Sequence, residues 1–557
     1  MDIEKFLNIW WSQGRIALPY QAQKFIDTSY QDPLPFWNQL FNYAKQESHS
    51  ILFQEYDFYH DCILRHLSDD SPALKVIQSD QKADVWTYRQ IHQLVNIQAH
   101  LWKEKYGVEA GQTVVLVVPY GLSFVVGLMT ALRLGAVVSS LPTKDRFLGR
   151  GRFAAALEQL SPDFVLIQEP HAIELDEKWT ILDLDLSEKR QPDKPIDSYT
   201  YLGADILQKV ISPNPLEAVR DVQANSAYLC SLRDGICALN LKKGTTWARP
   251  LSSMLREEPY CTITALLAGA CIVAIKDDLL VSNPARLKEE SIDMLGVSKP
   301  LQQLWLKEAG APARGLKNWH KNPLEGDTFG WTDFSEINQL QKVPSADLLI
   351  DKTKGGITLF SRPKPVEALT FACPSLGSPW DLLQLNGSGD KAVDGSGFFQ
   401  IGSSSEEPLL VLSQIGEQWV INYTTKPTKE GIPYPIEAIE TCVQALDFIH
   451  ACMIVSDRHP KDRINAYLTL LCFISPKNSH ISSDWAETTA TQIKEQIGEA
   501  FVPDRILFYP LYPKAKDGAL DRLWTQNQHQ RGLFFRKQNH PIYRSLNLLK
   551  EAIYEKK

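Results

Sequence analysis

The stretch from Thr113 to Ser140 constrains the fold most. Thr113–Val118 is a short β-branched run, Ser123–Leu134 carries a buried-helix pattern, Gly135 stands where a helix C-cap is expected, and Ala136–Ser140 resumes as strand. Strand, helix and strand in immediate succession make a β-α-β unit, and such a unit implies a parallel sheet. Upstream, Ile91, Leu94, Val95, Leu101 and Trp102 share one helical face that ends at Gly107. Downstream, "RFAAALEQLSPDFVLIQEP" repeats helix then strand. The expected class is α/β, with a large N-terminal domain of mainly parallel sheets covered by helices.

A chain of 557 residues is too long for one core. Residues 1–70, rich in Trp, Tyr and Phe, read as a helical extension whose rings form core or a docking surface. Residues 71–425 read as the large domain and 426–530 as a small α+β domain, with a hinge in "TTKPTKEG" at 424–431 and a helical tail over 531–557. A net charge of -8 lacks the concentrated positive field that nucleic acid or an anionic membrane needs. Pro119 and Arg133 break the most apolar region, so no membrane insertion is expected. Nine scattered cysteines, none in a C-x-x-C pair, suit reduced thiols rather than zinc, and "MDIEKFLNIWW" does not read as an export signal. A cytoplasmic protein is expected.

"WTYRQIHQLVNIQAHLWKEKYGVEAGQTVVLVVPYGLSFVVGLMTALRLGAVVSSLP" resembles the opening of the AMP-binding, adenylate-forming ligases: acyl-CoA synthetases, nonribosomal adenylation domains and luciferases. Its carriers are Thr87, Tyr88, Gly107-Val108, Gly111-Gln112, Pro119, Gly135, Ala136 and Pro142. "LLAGACIVAIKDDLLVSNPARLKEESIDMLGVSKP" is similar to the family's strand and helix ending in a Val-x-x-Pro wall of the acyl pocket, here Val297 and Pro300. "GIPYPIEAIETCVQALDFIHACMIV" looks like the start of its mobile C-terminal domain, and "FVPDRILFYPLYPKAKDGALDR" is similar to its last motif, P-K-T-x-x-G-K-x-x-R. The matches run in family order over most of residues 70–525.

The resemblance implies roles that this chain departs from. The lysine that stabilises charge on the α-phosphate and carboxylate is Ala519 here, with Lys514 and Lys516 nearby as displaced candidates. The phosphate loop, T-S-G-T-T-G-x-P-K-G, follows a strand resembling "AYLCS"; in that register Leu232 and Arg233 replace hydroxyl positions, Asp234 a glycine and Asn240 the lysine. An aspartate facing a triphosphate at ~4 Å is repelled by roughly 4 kcal/mol per charge pair. Lys242, Lys243, Gly244, Thr245 and Thr246 form either a displaced phosphate loop or a polar turn. The ribose-binding T-G-D tripeptide is missing, Ser403 falling at the aspartate, and Asn422 stands at the arginine ahead of the hinge. For Y-G-x-T-E, with its metal-binding glutamate, "FGWTD" (Phe329 to Asp333) and "GGITL" (Gly355 to Leu359) compete; the second, preferred on spacing, makes Gly355 and Gly356 pocket candidates.

Three functions follow. The leading one is a degenerate relative that keeps the fold, needs no cofactor, and binds an acyl or thioester ligand, an acyl carrier protein or a homologous catalytic enzyme. The second is an active carboxylate ligase using ATP and Mg through Lys242, Lys243, Thr245, Thr246, Asp333, Lys514 or Lys516. The third is an ATP-independent acyl-thioester transferase or condensing enzyme, for which Cys237, Cys261 and His320 are nucleophile or base candidates.

Overall fold

The computed structural model describes the chain apart from residues 13–17, 45–54, 69, 80–81, 169–177, 187–195, 308–313, 326–327, 367–370, 379, 385–390, 393–395, 402–409, 416–417, 430, 459–465, 476–481, 510–514, 516–517, 532–552 and 556–557. It divides into two compact units. The first comprises Met1–Thr143, Leu157–Ile211 and Val219–Thr425, and the second Lys144–Ala156, Ser212–Ala218 and Lys426–Lys557.

In the first unit, a six-stranded sheet runs in the order Arg220–Gln223, Ile206–Val210, Val137–Ser140, Thr113–Val117, Phe164–Ile167, Thr180–Leu182. All neighbours are parallel except the hairpin of the first two. The helix Leu122–Arg133 between two of its central strands is buried from Ser123 to Arg133. A capping box starts the helix Tyr88–Tyr106: the Thr87 side chain takes the Gln90 N–H, while the Gln90 side chain takes the Thr87 N–H. Gly107 ends that helix at φ 70°, a left-handed conformation that favours glycine.

A second sheet places Pro72–Ile77, Cys271–Ile275, Thr246–Ala248, Met294–Val297, Asn318–Lys321 and Ser345–Asp351 side by side and parallel. It continues through antiparallel strands from Gly356–Phe360 to Gln418–Thr424. The N-terminal helices Ile3–Trp11, Tyr20–Gln31 and Pro33–Ala44 are part of this unit. Their aromatic stripe is core: Phe6 and Trp10 are buried, and Trp10 lies 5.2 Å from Phe360. Polar ends anchor it, with the Tyr30 hydroxyl donating to the Pro374 carbonyl (2.6 Å) and the Trp37 indole to that of Gly377 (3.2 Å).

The second unit is α+β. Its sheet orders Ile449–Arg458, Ala466–Ile474, Arg505–Tyr509 and Ile553–Glu555, with the helices Ile436–Gln444, Trp485–Gln496 and Arg522–Gln530. Residues 553–555 correct the expected helical tail: Tyr554 and Ile553 pair antiparallel with Ile506 and Leu507, covering the edge of an otherwise open strand. Residues 532–552 lie outside the described residues. No helix among the described residues is long and apolar enough to cross a membrane.

Candidate functional site

Open α/β sheets bind ligands beyond the carboxyl ends of their parallel strands. At that edge of the second sheet, Arg249, Ser298 and Asn322 each follow a strand end, and Lys321 ends its own strand. With Arg256, Glu257 and Glu325 they surround a cleft of ≈ 30 Å³, which Val297 also lines. Ligand pockets of drug or cofactor size take roughly 300–1,000 Å³.

The charges around the cleft engage one another. Arg249 is paired with Glu257 and Glu258, and Lys321 with Asp347. Arg256 reaches Glu257 at 2.7 Å and Glu325 at 2.5 Å, and Glu325 also accepts the Lys299 N–H at 2.9 Å. Burial raises the Glu257 pKa, but Arg256 and Arg249 outweigh it and hold the carboxyl at about 2. His320 accepts the Trp247 indole N–H at 3.0 Å, and burial pushes its pKa down to about 3, so the imidazole is neutral at pH 7. The His320 base candidate is therefore a buried acceptor. Burial likewise pushes the Cys237 and Cys261 thiols up, the opposite of what a nucleophilic thiolate needs.

The phosphate-loop register is corrected. "AYLCS" is not a strand: it lies inside the helix Ala224–Arg233, whose buried positions Ala224, Ala227, Tyr228, Ser231 and Leu232 follow a helical repeat. A strand leading into a loop, as the motif requires, occurs earlier, at Ile206–Val210, and returns antiparallel at Arg220–Gln223. The intervening "ISPNPLEAV" has neither glycine nor lysine. Pro213 and Pro215 have no N–H. The N–H of Asn214 donates to the Ser212 hydroxyl (3.0 Å), that of Leu216 to the Asn214 side chain (3.2 Å), and that of Glu217 to the Asn214 carbonyl (3.2 Å). Glu217 is itself bound by the Ser212 hydroxyl at 2.7 Å, and Arg152 caps the Pro213 and Ser212 carbonyls. Every backbone donor from 213 to 217 is absent or engaged.

Asn240 has φ 49° at the exit of the π-helical turn Asp234–Ala238. Lys242–Thr246 is the polar turn, not a displaced phosphate loop. The Lys242 N–H donates to the Thr245 hydroxyl, the Gly244 N–H to the Gly269 carbonyl and the Thr245 N–H to the Lys242 carbonyl. Thr246 binds Asp293 through both its N–H (2.9 Å) and its hydroxyl (3.0 Å). The Lys242 and Lys243 side chains are exposed.

Of the two Y-G-x-T-E registers, "FGWTD" falls in the helix Thr328–Ile337, with Trp331 buried against Trp319 and Phe334, and Asp333 exposed. "GGITL" does follow a strand, Ser345–Asp351. There the Thr358 hydroxyl donates to the Leu349 carbonyl, and Leu359 is fully buried. Gly355 and Gly356 are close-packing positions rather than pocket lining. A Cβ on Gly355 would lie 2.5 Å from Ser226 Oγ, and one on Gly356 2.5 Å from Asp234 Oδ2. Pro300 is half-buried in the first turn of the helix Lys299–Lys307.

Ser403, Lys514 and Lys516 lie outside the described residues. Asn422 sits in the strand Gln418–Thr424. Ala519 is exposed in a turn closed by the Ala515 N–H on its carbonyl (2.9 Å), with Gly518 at φ 88°. The motif's terminal arginine, Arg522, does have a partner: its two terminal nitrogens meet Glu440 at 2.8 and 2.7 Å. Sequence reasoning missed this pair and the buried cluster of Arg233, Asp234 and Tyr260. Only the helical spacing of Tyr228, Ser231 and Leu232 signals that Arg233 and Asp234 cap a buried helix. Among the described residues, no group of three or more His, Cys, Asp or Glu is placed to hold a metal ion.

No family model matches the chain. A stretch of 82 residues is 33% identical to acetyl-coenzyme A synthetase of Helicobacter pylori, covering 14% of this chain; the chain spans 12% of the length of that curated relative. Acetoacetyl-CoA synthetase from Streptomyces lividans superposes with a TM-score of 0.61 at 12% identity, over 95% of this chain and 93% of that one. McyG A-PCP complexed with phenylalanyl-adenylate superposes at 0.59 with 11% identity, over 88% and 98%. The architecture is that of the AMP-binding, adenylate-forming enzymes, with a large α/β and a small α+β part.

Proposed function

We propose that this chain is a non-adenylating relative of the acyl-CoA synthetases and adenylation domains. It keeps their fold as a binding scaffold, for an acyl or pantetheine-linked group presented by a carrier protein or a catalytic homologue. The observation that carries this reading is the loop 211–219: where a phosphate-binding loop would offer glycine N–H groups and a lysine, the donors from 213 to 217 are absent or bound within the loop. The small cleft at the carboxyl ends of the strands, ≈ 30 Å³ and lined by residues that form ion pairs with one another, supports it. So does Ala519 in the place of the transfer lysine. The carrier-protein element draws on the similarity to McyG A-PCP.

Pyrophosphate exchange with a panel of fatty, aryl and amino acids, alongside calorimetry with ATP and Mg²⁺, tests the reading. Expected are no exchange and no heat of nucleotide binding, together with saturable binding of an acyl-pantetheine or an acylated carrier protein. Exchange at ordinary enzymatic turnover, about 1 s⁻¹ or faster, overturns it. Among the described residues no contact favours an active ligase with displaced groups: the Lys242–Thr246 turn is bonded within itself and to Gly269 and Asp293, and Asp333 is exposed on a helix.

A further inference from the structure

The second unit is discontinuous in sequence: Lys144–Ala156 and Ser212–Ala218 fold together with Lys426–Lys557. Specific contacts hold the three pieces. The Gly149 N–H donates to the Ile497 carbonyl at 3.1 Å and the Ala500 N–H to the Arg146 carbonyl at 2.8 Å, so two turns are joined backbone to backbone in both directions. Phe147 meets Phe501 edge-on at 5.5 Å, and both rings are fully buried. The Arg152 guanidinium reaches the carbonyls of Pro213 (2.5 Å) and Ser212 (2.7 Å), which carries the connection on to the loop 212–218.

Two glycines show how closely these backbones approach. A Cβ on Gly149 would stand 2.2 Å from the Glu495 carbonyl oxygen, and one on Gly498, at φ 149°, 2.8 Å from the Arg146 carbonyl oxygen. Each obstacle is backbone, which cannot swing aside as a flexible side chain does, so glycine is what lets the two turns touch. The chain that leaves the segment 424–431 is fixed to the same place. Tyr434 donates its hydroxyl to the Phe501 carbonyl and sets its ring 5.6 Å from that of Phe501. Phe501 is thus held between Tyr434 on one side and Phe147 on the other.

We propose that Lys144–Arg152 is a clasp that fixes residues 432–530 beside the loop 212–218, so that the segment 424–431 does not work as a hinge. A swing of 432–530 about that segment breaks both backbone hydrogen bonds between the turns and bares the Phe147 and Phe501 rings. Segments that open readily are those with few buried apolar contacts and solvent-exposed hydrogen bonds, and these turns have neither property. A partner or ligand of the second unit therefore meets it in this one arrangement. The inference concerns the second unit alone and stands whether or not the carboxyl-end cleft handles a nucleotide.

Hydrogen exchange read by mass spectrometry on the full-length protein, with Gly149→Val and Arg152→Met for comparison, tests the clasp. In Gly149→Val, peptides covering 495–501 should exchange at least about tenfold faster, the scale of losing two hydrogen bonds together, while those covering 113–117 keep the parent rate. Arg152→Met leaves the two turns joined and should speed exchange over 214–217 without changing 495–501. The hinge is read directly by placing a protease site in 424–431 of the full chain and cutting it. The fragment after the cut should stay bound through gel filtration and leave only in urea, at a lower concentration for Gly149→Val. Release of that fragment without denaturant overturns the proposal, whatever the fate of the variants. So does unchanged exchange over 495–501 in a Gly149→Val protein that circular dichroism shows to be folded.

Discussion

Arg233 donates through Nε to the carboxylate of its chain neighbour Asp234 at 2.6 Å, and together they clamp the peptide of Ile357. Asp234 accepts the Ile357 N–H at 2.8 Å, and Arg233 Nη2 donates to the Ile357 carbonyl at 2.9 Å. Tyr260 completes the cluster through its hydroxyl on Asp234, 2.5 Å away. A helix end and a sheet strand are thus joined by a buried ion pair whose hydrogen-bonding capacity is well used, the condition under which such a pair is tolerated. Asp234→Ala should destabilise the first unit by about 3–5 kcal/mol, since it leaves a buried guanidinium uncompensated. Urea unfolding followed by tryptophan fluorescence checks this. Joint replacement of Arg233 and Asp234 by Met and Leu should cost less than Asp234→Ala alone.

Gly355 sits at φ 87° with Ser226 Oγ 2.5 Å and the Ser226 carbonyl oxygen 3.1 Å from where a Cβ would stand. Gly355→Ala combines backbone strain with a clash against the Ser226 hydroxyl and a tight approach to its carbonyl, and should lower stability by roughly 2–3 kcal/mol. A thermal melt of the variant, with Gly377→Ala compared for a second crowded glycine, measures it.

Ala519→Lys restores the motif's charge in its turn but not the donors that loop 213–217 lacks. The variant is expected to show no pyrophosphate exchange above background. A gain of even 10²-fold, the scale of one electrostatic group, would mean that the missing lysine was the only defect.

The acid side of the stability curve should be steep. Burial holds the His320 pKa at about 3, and burial with Arg65 holds that of His66 at about 4. Both imidazoles stay neutral in the folded chain below pH 6.5 while the unfolded chain takes up protons, so stability falls as pH drops from about 6.5. Glu257, at about 2 in the folded state, acts in the same direction from about pH 4.5 downward. Each proton contributes a slope of up to about 1.4 kcal/mol per pH unit. His320→Gln, which keeps an acceptor for Trp247, should remove about half of the imidazole slope between pH 6.5 and 4.5 in urea melts at stepped pH.

In the second unit, Arg522 holds Glu440, which also accepts the Ile454 N–H at 2.8 Å. Arg522→Met should cost about 1–2 kcal/mol, more than a typical surface pair because Glu440 is mostly buried and the contact is two-pronged. Hydrogen exchange at Ile454 reports it: faster exchange is expected in the variant, and unchanged exchange would make the pair incidental.

Periodicity revealed the elements that packing alone dictates. The run Thr113–Ser140 and the helix Tyr88–Tyr106 were legible because burial, capping and the terminal glycine all point one way. "AYLCS" misled because five apolar or small residues fit a buried strand as well as a helix turn, and only the wider spacing from Ala224 to Leu232 separates the two. "FGWTD" imitated a motif, yet Trp331, Phe334 and Asn338 recur at helical intervals and are buried. The loop 211–219 escaped notice because its motif residues are replaced, and the hairpin around it exists only as pairing between Ile206–Val210 and Arg220–Gln223. Ion pairs such as Arg256 with Glu325 depend on tertiary approach, which one sequence does not encode locally.

The anchoring of the first helices has a practical bearing on how the chain can be cut. Arg362 reaches the carbonyls of Ile9 and Ser12 at 3.1 and 3.3 Å, and Trp10 covers Phe360. A fragment that begins at residue 71 would strip the apolar cover from Phe360 and remove the Ile9, Trp10 and Ser12 carbonyls that Arg362 binds. Such a shortened domain should come out of expression as aggregate, so a soluble fragment for crystallography has to carry its first 44 residues.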